Sequence, residues 1–291
     1  MAIREAVATP VTLGKGAWID FAGTSPDEEK RQIATRSITA LATHYSDLAA
    51  KQHKVDERER ALDKAAYEPI MKLVGNDSHG ARVADLHLND FIGDLSVQPA
   101  KPRIRLAPYD FAWWWHSNNT SPPHNQIIDR SMGRVALDAR SGSVAGGASG
   151  PVEAHAGFGV VLTTDHPMPV VGRSLRNAWY SGAAAAVGLG SNATATLGME
   201  LTALEDGKLI AIASETIWRK RVSGPYEKEM DTQGPAAFNE PRELSFFMQP
   251  GREYTFNVGI WVRTDRTPGI GAGAAFAQLD ATVLLMSLFS S

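Results

Sequence analysis

The sequence predicts an α+β protein in which one long N-terminal helix is followed by an antiparallel, jelly-roll-like β-sandwich. Three observations predict it. A helix start signal at Ser25-Pro26-Asp27-Glu28 opens a stretch free of Gly and Pro to about Ala66. Beyond Pro102 the apolar period changes from 3.6 to 2, and the alternating segments are joined by turn residues with no strand–helix–strand repeat. The implied division is an N-terminal arm over 1–24, a helical region over 25–99 and the sandwich over 100–291.

In the helix, Ser25 offers a side-chain cap, Pro26 the first helical position, and Glu28 the return contact of a capping box. Ile38, Leu41, Tyr45, Leu48, Val55 and Leu62 follow at spacings of 3, 4, 3, 7 and 7, which is one face of a helix. Gln52 and Glu59 interrupt that face, so its second half is only marginally a buried surface. Pro69 and Gly75-Asn76-Asp77 end the element, and 81–95 reads as a short second helix in preference to a strand. A half-apolar helix is not satisfied as a solvent-exposed rod, so Ile38, Leu41, Tyr45 and Leu48 are expected to be covered, in the leading reading by another copy of the chain at an oligomer interface and in the alternative by the chain's own sandwich.

Among the strands, Tyr109, Phe111, Trp113 and Trp115 alternate, as do Val152, Ala154, Ala156, Phe158, Val160 and Leu162. The glycine- and serine-rich stretch 141–150 reads as a long loop. Asp206-Gly207 reads as a primed hairpin turn, which makes cross-strand partners sum to 413. Ala203 then faces Ile210, Leu201 faces Ile212, Met199 faces Ser214, Leu197 faces Thr216 and Ala195 faces Trp218. Leu244, Phe246 and Met248 suggest a second hairpin through Pro250-Gly251 to Tyr254, Phe256, Val258, Ile260 and Val262. The last strand alternates Ala277, Leu279, Ala281, Val283 and Leu285, and Gly269–Gly273 before it reads as a flexible turn.

The composition narrows function mainly by exclusion. The chain has 291 residues, no cysteine and a formal charge of −3, which removes disulfides, thiolate chemistry and any global attraction to nucleic acid. The N-terminus lacks the apolar core of a Sec signal, and no apolar run is long enough for a transmembrane helix. GxSxG, GxxxxGK[ST] and HExxH are absent. His116, His124, His155 and His166 lack metal-motif spacing, so neither metal nor cofactor is expected. Arg219-Lys220-Arg221 reads as a solvated strand end.

One local cluster points to a ligand. If Trp113 and Trp115 face inward, Trp114 and His116 face outward beside the polar loop holding Asn118 and Asn119, and such rings and amides suit a surface glycan. The expected function is therefore a non-enzymatic structural or recognition protein, self-associating through its helix and presenting a sandwich surface, as a virion, injection-apparatus or surface component. The alternative is a secreted pore-forming toxin, because 181–203 mixes small apolar residues with Ser, Thr and Gly; only then is a membrane a partner. A glycan-active enzyme is third, and the sequence locates no carboxylate pair for it.

Overall fold

A strand with one apolar face needs a second sheet to cover it, and this chain supplies two sheets and a helix. The computed structural model describes residues 10–21, 27–73, 103–117, 126–142, 151–189, 191–224, 226–233, 242–267 and 270–290. The elements are β1 (Val11–Gly14), β2 (Ala17–Asp20), α1 (Glu28–Leu73), β3 (Arg103–Arg105), β4 (Phe111–His116), β5 (Ile127–Asp129), β6 (Arg134–Gly142) and β7 (Val152–Leu162). They continue as β8 (Met168–Leu189), β9 (Asn192–Glu205), β10 (Lys208–Ser223), β11 (Tyr226–Gln233), β12 (Arg242–Met248), β13 (Tyr254–Thr267) and β14 (Ile270–Ser290).

The front sheet has the order β1-β2-β4-β7-β13-β9-β10 and the back sheet β11-β8-β14-β6-β5, with β12 beside β8 and β3 beside β14. All pairings are antiparallel. The core between the sheets takes Phe158 and Val160 from β7, Leu197, Met199 and Leu201 from β9, and Phe256, Val258, Ile260 and Val262 from β13. Ala178, Tyr180, Ala277, Leu279 and Ala281 meet them from the back sheet. Within 181–203 one face lies in this core, where Ala184, Ala186, Ala193 and Ala195 are buried, while Val187 is exposed.

The N-terminal segment differs from the expectation of a separate arm. Residues 11–20 form a hairpin at the end of the front sheet, so two strands precede the helix. The helix cap also moves, because Asp27 Oδ1 accepts the backbone N–H of Lys30 at 2.8 Å and Asp27 is the capping residue. Ser25 lies outside the described residues, as do 81–95 and 143–150. The helix continues through Pro69 to Leu73. Among the described residues no helix is long and apolar enough to cross a membrane.

The apolar stripe is covered within the chain, so Ile38, Leu41 and Tyr45 follow the intramolecular alternative and are not open to another copy. Ile33, Ile38, Leu41, Ala42 and Tyr45 pack on Ala17, Ile19, Phe111, Trp113 and Trp115 on the outer face of the front sheet. Ile38, Leu41 and Tyr45 are at most 2% exposed, whereas Leu48 is 44% exposed. The spacing shows that a face must be buried but not which surface buries it.

Three strand expectations change for related reasons. The Asp206-Gly207 turn forms, with positive φ at both residues, and Lys208 faces Glu205 and Leu209 faces Leu204 as the sum of 413 requires. Two register shifts, at Leu209/Ala211 and Thr216/Trp218, then place Ala211 opposite Ala203, Ala213 opposite Leu201, Glu215 opposite Met199 and Trp218 opposite Leu197. Ile210 and Ile212 are turned outward, 40% and 42% exposed. The segment around Pro250-Gly251 does not join a hairpin, since β12 pairs β8 in the back sheet while β13 lies between β7 and β9 in the front sheet. Ile270 to Gly273 begin β14 instead of forming a turn, and a shift at Val283/Leu285 transfers burial from Val283 to Met286 and Leu288.

Leu201 is fully buried between the sheets, so Leu201→Ala is expected to cost about 2–5 kcal/mol by denaturant unfolding. A change below about 0.5 kcal/mol would place it outside the core. Leu41→Asp is expected to lower stability by several kcal/mol with no change of mass by light scattering, because the carboxylate meets the chain's own Trp-rich sheet. A lower mass with unchanged stability would restore the interface between copies.

Candidate functional site

Two residues along a strand return to the same face, so the outer face of the front sheet is a grid of side chains from β7, β13, β9 and β10. One row reads His155, Trp261, Gly198 and Thr216. The next reads Glu153, Arg263, Thr196 and Arg219, and beyond it Asp265, Thr194 and Arg221 stand in line. The bulge at Thr216/Trp218 makes this possible, because it moves Arg219 and Arg221 onto the face already held by Ser214 and Thr216. Lys220 is left on the opposite side, 3.6 Å from Glu229.

These rows floor a groove of about 440 Å³, and Tyr45, Leu48 and Gln52 of α1 form one wall. Glu200 is 2% exposed at its inner end. Its Oε1 accepts the Tyr45 hydroxyl at 2.8 Å and lies 2.8 Å from His155 Nδ1. His155 Nε2 lies 3.1 Å from Glu153 Oε1, so the imidazole bridges two carboxylates. The Tyr45 ring stacks on the imidazole at 3.9 Å between centroids, and Trp115 meets it edge-on at 5.5 Å.

The charges follow from these contacts. Burial favours neutral imidazole, but Glu200 and Glu153 together override it and raise His155 to about 9. Burial pushes the Glu153 carboxyl up, while His155 and Arg263 bring it below its ordinary value. Burial and the Glu200 carboxylate both raise the Tyr45 phenol well above its ordinary value. At neutral pH the bridge is thus an imidazolium between carboxylates, with the phenol protonated as a donor.

Trp261 supplies a flat surface. A Cβ on Gly198 would stand 2.5 Å from its ring, so the indole rests on the backbone where only glycine leaves room. Its Nε1–H donates to Ser214 Oγ at 3.1 Å, which fixes the ring in the groove.

The expected ligand residues lie elsewhere. Trp114 and His116 are on the inner side of β4: Trp114 is half-buried and stacks on Trp18 at 5.9 Å, and His116 is 3% exposed with its ring 4.7 Å from that of Trp18. Both faces of β4 are covered, so the alternation that buries Trp113 and Trp115 under the helix does not expose Trp114. Asn118, Asn119 and His124 lie outside the described residues. Leu48, expected at an interface, lines the groove. The residues that build the site, Glu153, Glu200, Trp261, Arg219 and Arg263, were not singled out as a site. One signal was available: Glu200 stands alone as a carboxylate in the apolar run Leu197–Leu201.

The bridge makes stability depend on pH in a stated direction. His155 is raised from 6.5 to about 9 on folding, so its stabilisation is complete below pH 6.5 and is lost as pH rises through about 9. Denaturant unfolding from pH 6 to 9.5 is expected to show a decline of up to about 3 kcal/mol. In His155→Gln that decline should be absent, and an equal decline in the variant would assign it to other groups.

No family model and no curated protein matches the chain. Among solved structures, that of the infectious bursal disease virus Gx strain is similar at TM-score 0.18 and 9% identity, covering 72% of this chain and 46% of that one. A cyclase from Fischerella sp. TAU is similar at TM-score 0.17 and 11% identity, covering 62% of this chain and 88% of that one. The chain spans less than half the length of the viral chain, and at these scores neither protein transfers an activity or a partner to it.

Proposed function

We propose that the protein is a non-enzymatic recognition protein whose sandwich binds a carbohydrate in the groove beside α1. The observation that carries this is Trp261, an indole laid flat on Gly198 and pinned by Ser214 in a groove floored with Thr194, Thr196 and Thr216. A pyranose offers an apolar face to such a ring and hydroxyls to side chains around it. Glu153 and Glu200 are already acceptors for His155, and Glu200 also for Tyr45, an arrangement that favours a fixed polar wall over proton transfer. The frame is read as jelly-roll-like because the chain passes repeatedly between the sheets, at β3–β4, β4–β5, β6–β7, β7–β8, β8–β9, β10–β11, β12–β13 and β13–β14.

A glycan array tests the reading. The protein is expected to bind at least one glycan, and Trp261→Ala to weaken that binding about tenfold or more, equivalent to about 1.4 kcal/mol. A blank array, or unchanged binding by a folded Trp261→Ala, would overturn it.

A further inference from the structure

We infer that the groove selects a sugar bearing a carboxylate over its neutral counterpart, an inference that rests on the carbohydrate reading and adds charge to it. Both signs of charge line the floor, with Arg263 and Asp265 together on β13, and only β10 presents cations alone. Glu153 and Asp265 stand on the β7 and β13 side, while Arg219 and Arg221 stand two residues apart on β10, with Arg263 in the row of Arg219. Neighbouring strands are about 4.8 Å apart, so Arg219, opposite Thr196, is anchored roughly 10 Å across the sheet from Trp261's strand and lines the same groove. A six-membered ring stacked on Trp261 with an acid group directed toward β10 spans that gap.

The balance of the groove points the same way. The acids at its inner end are engaged with His155 and Tyr45, and Lys220 faces away toward Glu229. Among the described residues Arg219 has no ion-pair partner, and it is exposed in the groove. A guanidinium fork binds a carboxylate through two parallel N–H donors and gains nothing comparable from a hydroxymethyl group.

Methyl β-glucuronide and methyl β-glucoside differ only in the acid group, and calorimetric titration of both tests the inference. The full chain is expected to bind the glucuronide at least tenfold more tightly at low salt, with the preference shrinking as NaCl rises. In Arg219→Gln the preference should fall below about twofold, while Lys220→Gln, which removes the same charge from the far side, should keep it. Equal binding of the two sugars would overturn the inference and leave the carbohydrate reading standing. A preference undiminished in a folded Arg219→Gln would also overturn it. Failure of both sugars together with a blank array would overturn the carbohydrate reading, and the inference with it.

Discussion

A carboxylate buried between a helix and a sheet must be compensated, and in this protein that carboxylate is Glu200. An unpaired charge there would be costly enough to prevent the helix from docking. Tyr45 compensates it from the helix and His155 from β7, each at 2.8 Å. Because Tyr45 also stacks on His155, the contacts that neutralise the carboxylate fix the helix over the sheet. The groove beside them exists because the helix is held there.

The front sheet is loaded on both faces, which explains its composition. Its inner face sets aliphatic side chains beside Phe158, Tyr254 and Phe256 and meets the back sheet, while its outer face combines aromatic rings with glycines. A Cβ on Gly159 would lie 2.1 Å from the Phe111 ring, and one on Gly259 3.0 Å from Trp113. Large rings lie flat only where the adjoining strand carries no side chain. The helix can therefore approach closely enough for Leu41 and Tyr45 to reach the sheet.

Much of this was legible in the sequence, in a particular form. Alternation identified the buried side chains of β7, β9 and β13, and the 3–4 spacing identified the buried side of α1. Those periods specify a face, and they do not specify what covers it. Leu41 faces its own sheet, Trp114 lies under a second layer, and β12 pairs β8 instead of β13. The site was less legible, since Glu153, Glu200, Trp261 and Arg219 are far apart in the chain and only pairing brings them together. Arg219 depended on a one-residue bulge, and nothing in the segment Ser214–Arg221 advertises where the strand slips.

The irregularity of β10 has a consequence for strand addition at the sheet edge. β10 ends the front sheet, and its far side is a row of backbone donors and acceptors that another chain could extend. A straight edge carrying Ile210 and Ile212 would be a template for fibrils. The two slips in its register break the even spacing that a further strand needs, and Arg219, Lys220 and Arg221 add repulsion between like edges. The distortion that delivers arginines to the groove also makes this margin a poor template for a further strand.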